Sequence, residues 1–133
     1  MKTILYLGAE VGAQAAEELV AGRAEVRRVP AEPEDVQTEI KTCSALLDAS
    51  MKVRITDRMV ASAAGLKIIS CATTGSDHID RKELESRCIP VRTLREDKEL
   101  LLNLTPAAEL SWALLMACAR KLPAAVKHVV SGG

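Results

Sequence analysis

The chain has 133 residues, 48% hydrophobic and 27% charged, the length and balance of one globular domain with a core of its own rather than a disulfide-stapled miniprotein. Lys plus Arg and Asp plus Glu stand at 18 each, and the aromatic residues are one Trp and one Tyr. With no net field and no stacking platform, the composition argues against a nucleic-acid or anionic-membrane partner.

Strand and helix signals alternate from the start. Residues 3–7 read as a first strand, 11–20 as a helix stopped by Gly22, and 25–29 as a second strand, short and charged enough for a sheet edge. Pro33 stands near the start of a helix running to about residue 41, 45–47 is a third strand, and Thr56 caps a helix that ends at Gly65. Residues 67–71, 81–87 and 89–92 follow as strand, helix and strand. Strands separated by single helices pair in parallel through right-handed crossovers, which predicts an α/β, flavodoxin-like, doubly wound five-stranded parallel sheet. After residue 92 a charged, then leucine-rich connection leads to Thr105 and Pro106, which open a long helix ended or kinked by Pro123, with a second helix over 124–130. The most apolar region, 100–119, is interrupted by Asn103, Thr105, Pro106, Glu109 and Ser111, a load unsuited to a membrane span, and reads as a buried helix. Apolar residues cover almost every face of it, so it requires partners on more than one side, more than this chain offers.

Cys43, Cys71, Cys88 and Cys118 form no CxxC and no Cys/His spacing suited to zinc, so no metal site is expected. Cys71 and Cys118 lie in apolar runs and read as small buried hydrophobes. The apolar run at residues 4–7 is too short for a signal peptide, and a reducing cytoplasm is the expected location.

The stretch 66–80 carries the most chemistry: an apolar strand enters a small, polar, glycine-centred loop that leads into a helix start. Gly75 is expected to supply a backbone conformation that a side chain would forbid, and Asp80 with Glu83 reads as a capping pair. Such a loop offers free backbone N–H groups at the carboxyl end of a strand, suited to a small anion such as a carboxylate. The plainer reading is a βα turn before a capped helix. Ligands of open parallel sheets collect outside the carboxyl ends of the strands, where residues 8–10, 48–52 and 73–77 fall. Their backbone donors, hydroxyls and one cation, Lys52, fit a small hydroxy or keto acid, although Lys52 also reads as an ordinary solvated lysine. Gly8 and Gly12 lack the G-x-G-x-x-G spacing, and no acid closes the second strand where a ribose would be held, so that turn reads as a plain βα connection. His78 is expected to be a surface or capping residue, since no nearby carboxylate obviously orients it, and His128 to be solvated.

Thr74-Gly75-Ser76-Asp77-His78-Ile79-Asp80, then Arg87-Cys88-Ile89-Pro90-Val91, Ala108-Glu109-Leu110, Arg120-Lys121-Leu122-Pro123 and Ser131-Gly132-Gly133 occur in fixed order. In these pieces, residues 66–133 closely resemble the substrate-binding domain of the D-isomer-specific 2-hydroxyacid dehydrogenases, the phosphoglycerate dehydrogenase-like family, while the first part of the chain agrees in pattern only. The resemblance implies a two-domain enzyme that reduces a 2-keto acid with a nicotinamide cofactor. It implies that the loop of Thr74, Gly75, Ser76 and Asp77 binds the substrate carboxylate through backbone N–H groups and that Ser50 and Lys52 face the same cleft. The family's catalytic arginine, glutamate and histidine, with its glycine-rich fingerprint, belong to a cofactor domain. On this reading residues 1–104 are a substrate-binding domain, 105–133 are helices that would pack on an absent cofactor domain, and the fragment alone is inactive. It then holds no catalytic or cofactor-binding residue, with NAD or NADP bound only in the full-length enzyme and a homodimer formed through the apolar helix around Trp112. Thr93 and Leu94 stand where the family usually has Asn and Pro, and the connection to Ala108 and Glu109 is longer than usual, which leaves the acid unnamed. Two other readings stay open. Asp48 stands near the end of the third strand, like the phosphoacceptor of a signalling receiver, although Glu10 is the one acid after the first strand and Arg92 replaces the usual lysine. The apolar helix would also suit a stand-alone interaction module.

Overall fold

The computed structural model describes residues 2–133, and the chain divides into two compact units, one through Asp97 and one from Lys98 to Gly133. The expected boundary at 104 falls inside the second unit. The first unit runs β1 (Lys2–Leu7), α1 (Glu10–Val20), β2 (Ala24–Arg28), α2 (Pro33–Glu39) with a 3-10 turn (Ile40–Thr42), β3 (Ala45–Asp48), α3 (Asp57–Ser62), β4 (Ile68–Cys71), α4 (Lys82–Ser86), β5 (Val91–Thr93) and a second 3-10 turn (Leu94–Glu96). All strand pairs are parallel and the sheet order is β2-β1-β3-β4-β5, the flavodoxin-like order, with the charged β2 at one edge as expected.

The chain reverses direction across the sheet after β2, and right-handed crossovers then place α1 on one face and α2, α3 and α4 on the other. Period-two alternation of the strands sorts their side chains accordingly. Leu5, Leu7, Leu46 and Ile69 are buried and join Val36, Ile40, Val60, Ala63 and Leu84 in one apolar core, whereas Ile4, Leu47 and Ile68 are only partly covered. One face is therefore sealed and the other half-covered.

Local chemistry sets the element ends. Thr56 caps α3 as expected, its hydroxyl accepting from the Met59 N–H at 3.3 Å. The Asp80–Glu83 capping pair does not form. Arg54 donates to Asp80 Oδ1 from Nε (3.1 Å) and Nη2 (2.6 Å), and this charge-assisted pair takes the carboxylate from the neutral amides. Asp57, at the start of α3, accepts the Glu83 N–H at 2.9 Å instead, so one helix caps the next across 26 residues. Arg87 closes the opposite end of α3 by donating to the carbonyls of Val60 (2.6 Å) and Ala63 (2.9 Å).

The second unit is α5 (Lys98–Asn103), α6 (Pro106–Ala119) and α7 (Leu122–Val130). The connection expected after the fifth strand thus contains a helix. Lys98–Ala119 has the length and mean hydropathy, 1.4, of a membrane span, but Pro106 brings no N–H to the turn before it and the run divides into two helices. The expectation that α6 is buried is not met within this chain: none of its residues is buried, and Trp112 is 66% exposed. Cys118 is exposed for the same reason, in contrast to the buried Cys71. The break before α7 falls at Lys121, in the left-handed region at φ 51°, and Pro123 occupies the first turn of α7, where its missing N–H costs nothing.

Gly12, inside α1, is the point where Tyr6 fits beneath the helix: a Cβ there would collide with Tyr6 Oη. Gly12→Ala should gain about 1 kcal/mol of helix propensity yet lose about 1–3 kcal/mol to overpacking, a net destabilisation in urea unfolding. In a Tyr6→Phe background the same substitution should cost less, because the colliding oxygen is gone and the ring Cζ, 3.0 Å from the new Cβ, has only to give slightly.

Candidate functional site

The two loops singled out from the sequence follow β3 and β4, neighbours in the sheet with Asp48 opposite Cys71 at their carboxyl ends. Asp48 is fully buried, and its side chain organises what lies around it. Oδ1 accepts from the Ser50 N–H (2.7 Å), the Ser50 hydroxyl (2.9 Å) and the Met51 N–H (3.1 Å), an Asx turn that holds Met51 in the left-handed region at φ 54°. Oδ2 lies 2.8 Å from His78 Nε2. The expectation that no carboxylate orients His78 is thus overturned: Asp48, 30 residues away in sequence, does so, and the imidazole is only 11% exposed. A charged residue ending an otherwise apolar strand, at a position where alternation points it inward, was the available signal. Its partner could come only from the sheet order.

The second loop hangs between two anchors. Before it, the Ala72 N–H donates to the Asp48 carbonyl at 2.9 Å and the Thr73 carbonyl accepts from Leu94 at 2.9 Å. After it, the His78 carbonyl accepts from Ile55 at 2.8 Å, and the Asp80 N–H returns to Ile55 at 2.9 Å. Between these points the backbone N–H groups of Thr74, Gly75, Ser76 and Asp77 donate to no acceptor among the described residues. Four consecutive unpaired amides form a concentration of partial positive charge suited to an anion.

Gly75 is not in the left-handed region, contrary to expectation: the positive-φ glycines are Gly22 and Gly132. A Cβ on Gly75 would meet only Asp77 Oδ2 and the Met51 methyl, each at 3.8 Å. The strained backbone of this site belongs instead to Met51, whose methyl lies 3.8 Å from where a Gly75 Cβ would stand.

The anticipated residues divide between two depressions. Thr74, Ser76 and Asp77 line one of about 240 Å³ with Arg81, Thr93 and Arg95, where Arg81 Nη2 donates to the Ser76 hydroxyl at 2.6 Å. Ser50 and Lys52 line another of about 420 Å³ with Gly8, Ala9 and Arg28. Lys52 is exposed and makes no ion pair among the described residues. Arg28 is held by Glu10 at 2.8 Å and by the Gly8 carbonyl at 3.0 Å. A dinucleotide does not fit here: Tyr6 fills the space that Gly8 and Gly12 would open for a pyrophosphate at the start of α1, and β2 ends on the paired Arg28 rather than on an acid. Burial pushes the Cys43 thiol up to about 11, and burial reinforced by the Asp48 charge does the same for Cys71.

Residues 5–95 match the family model described as D-isomer specific 2-hydroxyacid dehydrogenase, catalytic domain. No significant match is found among curated proteins. Among solved structures, the chain is similar to the TT0316 protein of Thermus thermophilus (TM-score 0.72, 23% identity, 99% of this chain and 41% of that one). It is similar to a phosphoglycerate oxidoreductase of Vibrio cholerae (TM-score 0.63, 25% identity, 99% and 42%). It is also similar to an NAD+-bound 3-phosphoglycerate dehydrogenase of Entamoeba histolytica (TM-score 0.61, 25% identity, 69% and 32%). The chain thus spans well under half the length of these proteins.

Because Gly75 has ordinary φ and room for a methyl, Gly75→Ala should leave the fold intact and raise stability by about 0.4–1 kcal/mol through the unfolded state, as read from the urea midpoint. The buried thiols carry a pH signature. Above pH 9 the unfolded chain releases their protons while the folded chain keeps them to about 11, so stability should fall as pH rises through that window. Cys43→Ala and Cys71→Ala should each flatten the decline in urea unfolding measured across it.

Proposed function

The chain belongs to the D-isomer specific 2-hydroxyacid dehydrogenase family of oxidoreductases, and from that premise we propose that it is the part of such an enzyme that receives the carboxylate of a 2-keto or D-2-hydroxy acid. The observation that carries this reading is the row of unpaired amides at Thr74, Gly75, Ser76 and Asp77, outside the carboxyl end of β4. A carboxylate replaces the water these N–H groups would otherwise bind and accepts charge-assisted hydrogen bonds from them. Lys52 and Ser50 contribute from the neighbouring loop, the ammonium as a long-range attraction for an acid substrate. Hydride transfer uses a nicotinamide, NAD or NADP, whose reduced form would give a hydride to a 2-keto acid and whose oxidised form would take one from a 2-hydroxy acid. The residues described here do not fit that group, and it is held by protein elements other than these. On this reading the 133-residue chain alone binds the acid and does not turn it over.

The receiver reading loses support from Asp48: its carboxylate is fully buried and engaged with Ser50, Met51 and His78, out of reach of a phosphodonor. We further propose that α6 pairs with a second copy of the chain. Leu114 and Leu115, 58% and 57% exposed, carry apolar surface that would otherwise face water.

Titration of the 15N-labelled chain with glyoxylate should move the Gly75, Ser76 and Asp77 amide resonances together and saturably. Ser76→Pro, which deletes one donor, should weaken the effect about tenfold. A titration that leaves these amides still while shifting others would refute the assignment. Light scattering should give twice the chain mass, and Leu114→Glu with Leu115→Glu should return a monomer. A wild-type chain that stays monomeric at high concentration would sink the pairing of α6.

A further inference from the structure

We infer that Asp48 and His78 are positioning residues that hold the amide loop 74–77 against the loop 50–52, an inference that rests on reading the former as the carboxylate site. His78 is the residue that follows the loop 74–77, and it is fixed at two points: its side chain by Asp48 and its carbonyl by the Ile55 N–H at 2.8 Å. The Asp48 oxygen not facing His78 holds Ser50 and Met51. One buried carboxylate therefore touches both loops, and it holds Met51 at φ 54°.

The geometry also assigns the ring proton. Carboxylate oxygens offer only lone pairs, so the 2.8 Å contact requires the proton on Nε2. Nδ1 is buried with no hydrogen-bond partner among the described residues. The opposite neutral tautomer would set two lone pairs against each other at Asp48 and bury an unpaired N–H. Both effects oppose it. The Nε2–H form is thus selected by Asp48, and through it the carboxylate restricts the end of the loop from which Asp77, Ser76 and Gly75 present their amides.

The test compares the full isotope-labelled chain with His78→Gln, His78→Leu and Asp48→Asn, read by NMR. Gln keeps a donor able to reach Asp48, and Leu removes it. Asn retains an acceptor for Ser50 and Met51 but turns an NH2 toward Nε2, so the imidazole should switch to its Nδ1–H tautomer in Asp48→Asn. In folded His78→Leu, amide exchange at Ile79 and Ile55 should quicken and glyoxylate binding weaken, each about tenfold or more, the loss of one charge-assisted hydrogen bond. His78→Gln should restore both to within about threefold of wild type. A wild-type ring with its proton on Nδ1, or a folded His78→Leu with unchanged exchange and affinity, would overturn the inference. If His78→Leu does not fold, the tautomer of Asp48→Asn and the affinity of His78→Gln decide it: no tautomer switch, or no rescue, counts against it. Wild-type amides that ignore glyoxylate would refute the carboxylate site alone, and the exchange and tautomer readouts would still judge the positioning pair.

Discussion

A carboxylate taken wholly out of water is expensive unless hydrogen-bond donors replace that water, and Asp48 gathers four of them, three on Oδ1 and one on Oδ2. It is the last residue of β3, where the apolar strand must hand over to a polar loop. Two backbone N–H groups, a hydroxyl and an imidazole converge on it. Leaving any of those donors unpaired would cost more than the single hydrogen bond returns. The loop after β3 folds around its own first residue, and the loop after β4 is pinned where it ends. Between these fixed points lie residues 74–77, whose backbone N–H groups donate to no acceptor among the described residues and which are the stretch proposed above for a carboxylate.

The rest of the first unit keeps that arrangement in place. Sheet order puts β3 beside β4, so residues far apart in sequence meet at one edge. Beneath it, the sealed face of the sheet supplies the rigid apolar support that short strands of three to six residues cannot provide alone. The same fold elsewhere holds nucleotides at the start of its first helix. Here Tyr6 rises under α1 into the space left by Gly8 and Gly12, and β2 ends on Arg28, which is paired with Glu10. Common architecture thus does not carry a common site, because the side chains at the strand ends decide what each crevice can take.

The second unit obeys different physics. Its longest helix, α6, is apolar on every side, and its residues lie exposed. Such a helix gains little from its own chain and much from an apolar partner surface, whereas the first unit contains its own core.

Several features were legible in the residues themselves. Alternation of short β-branched runs with capped helices predicted the five parallel strands, and the charges of β2 predicted its edge position, because periodicity and capping are local properties. The Gly75 segment was visible as a polar loop after an apolar strand, and Thr56 as a cap. What the sequence hid was always a matter of partners. Asp80 looked like a cap until Arg54 reached it, Gly75 looked conformationally special until Met51 proved to carry the left-handed backbone, and His78 looked like a surface or capping residue until Asp48 came within 2.8 Å. Local pattern determines which elements form and where chains turn, since those depend on neighbours within a few residues. The choice among competing donors for one buried carboxylate depends on distances across strands, and only the packed sheet decides it.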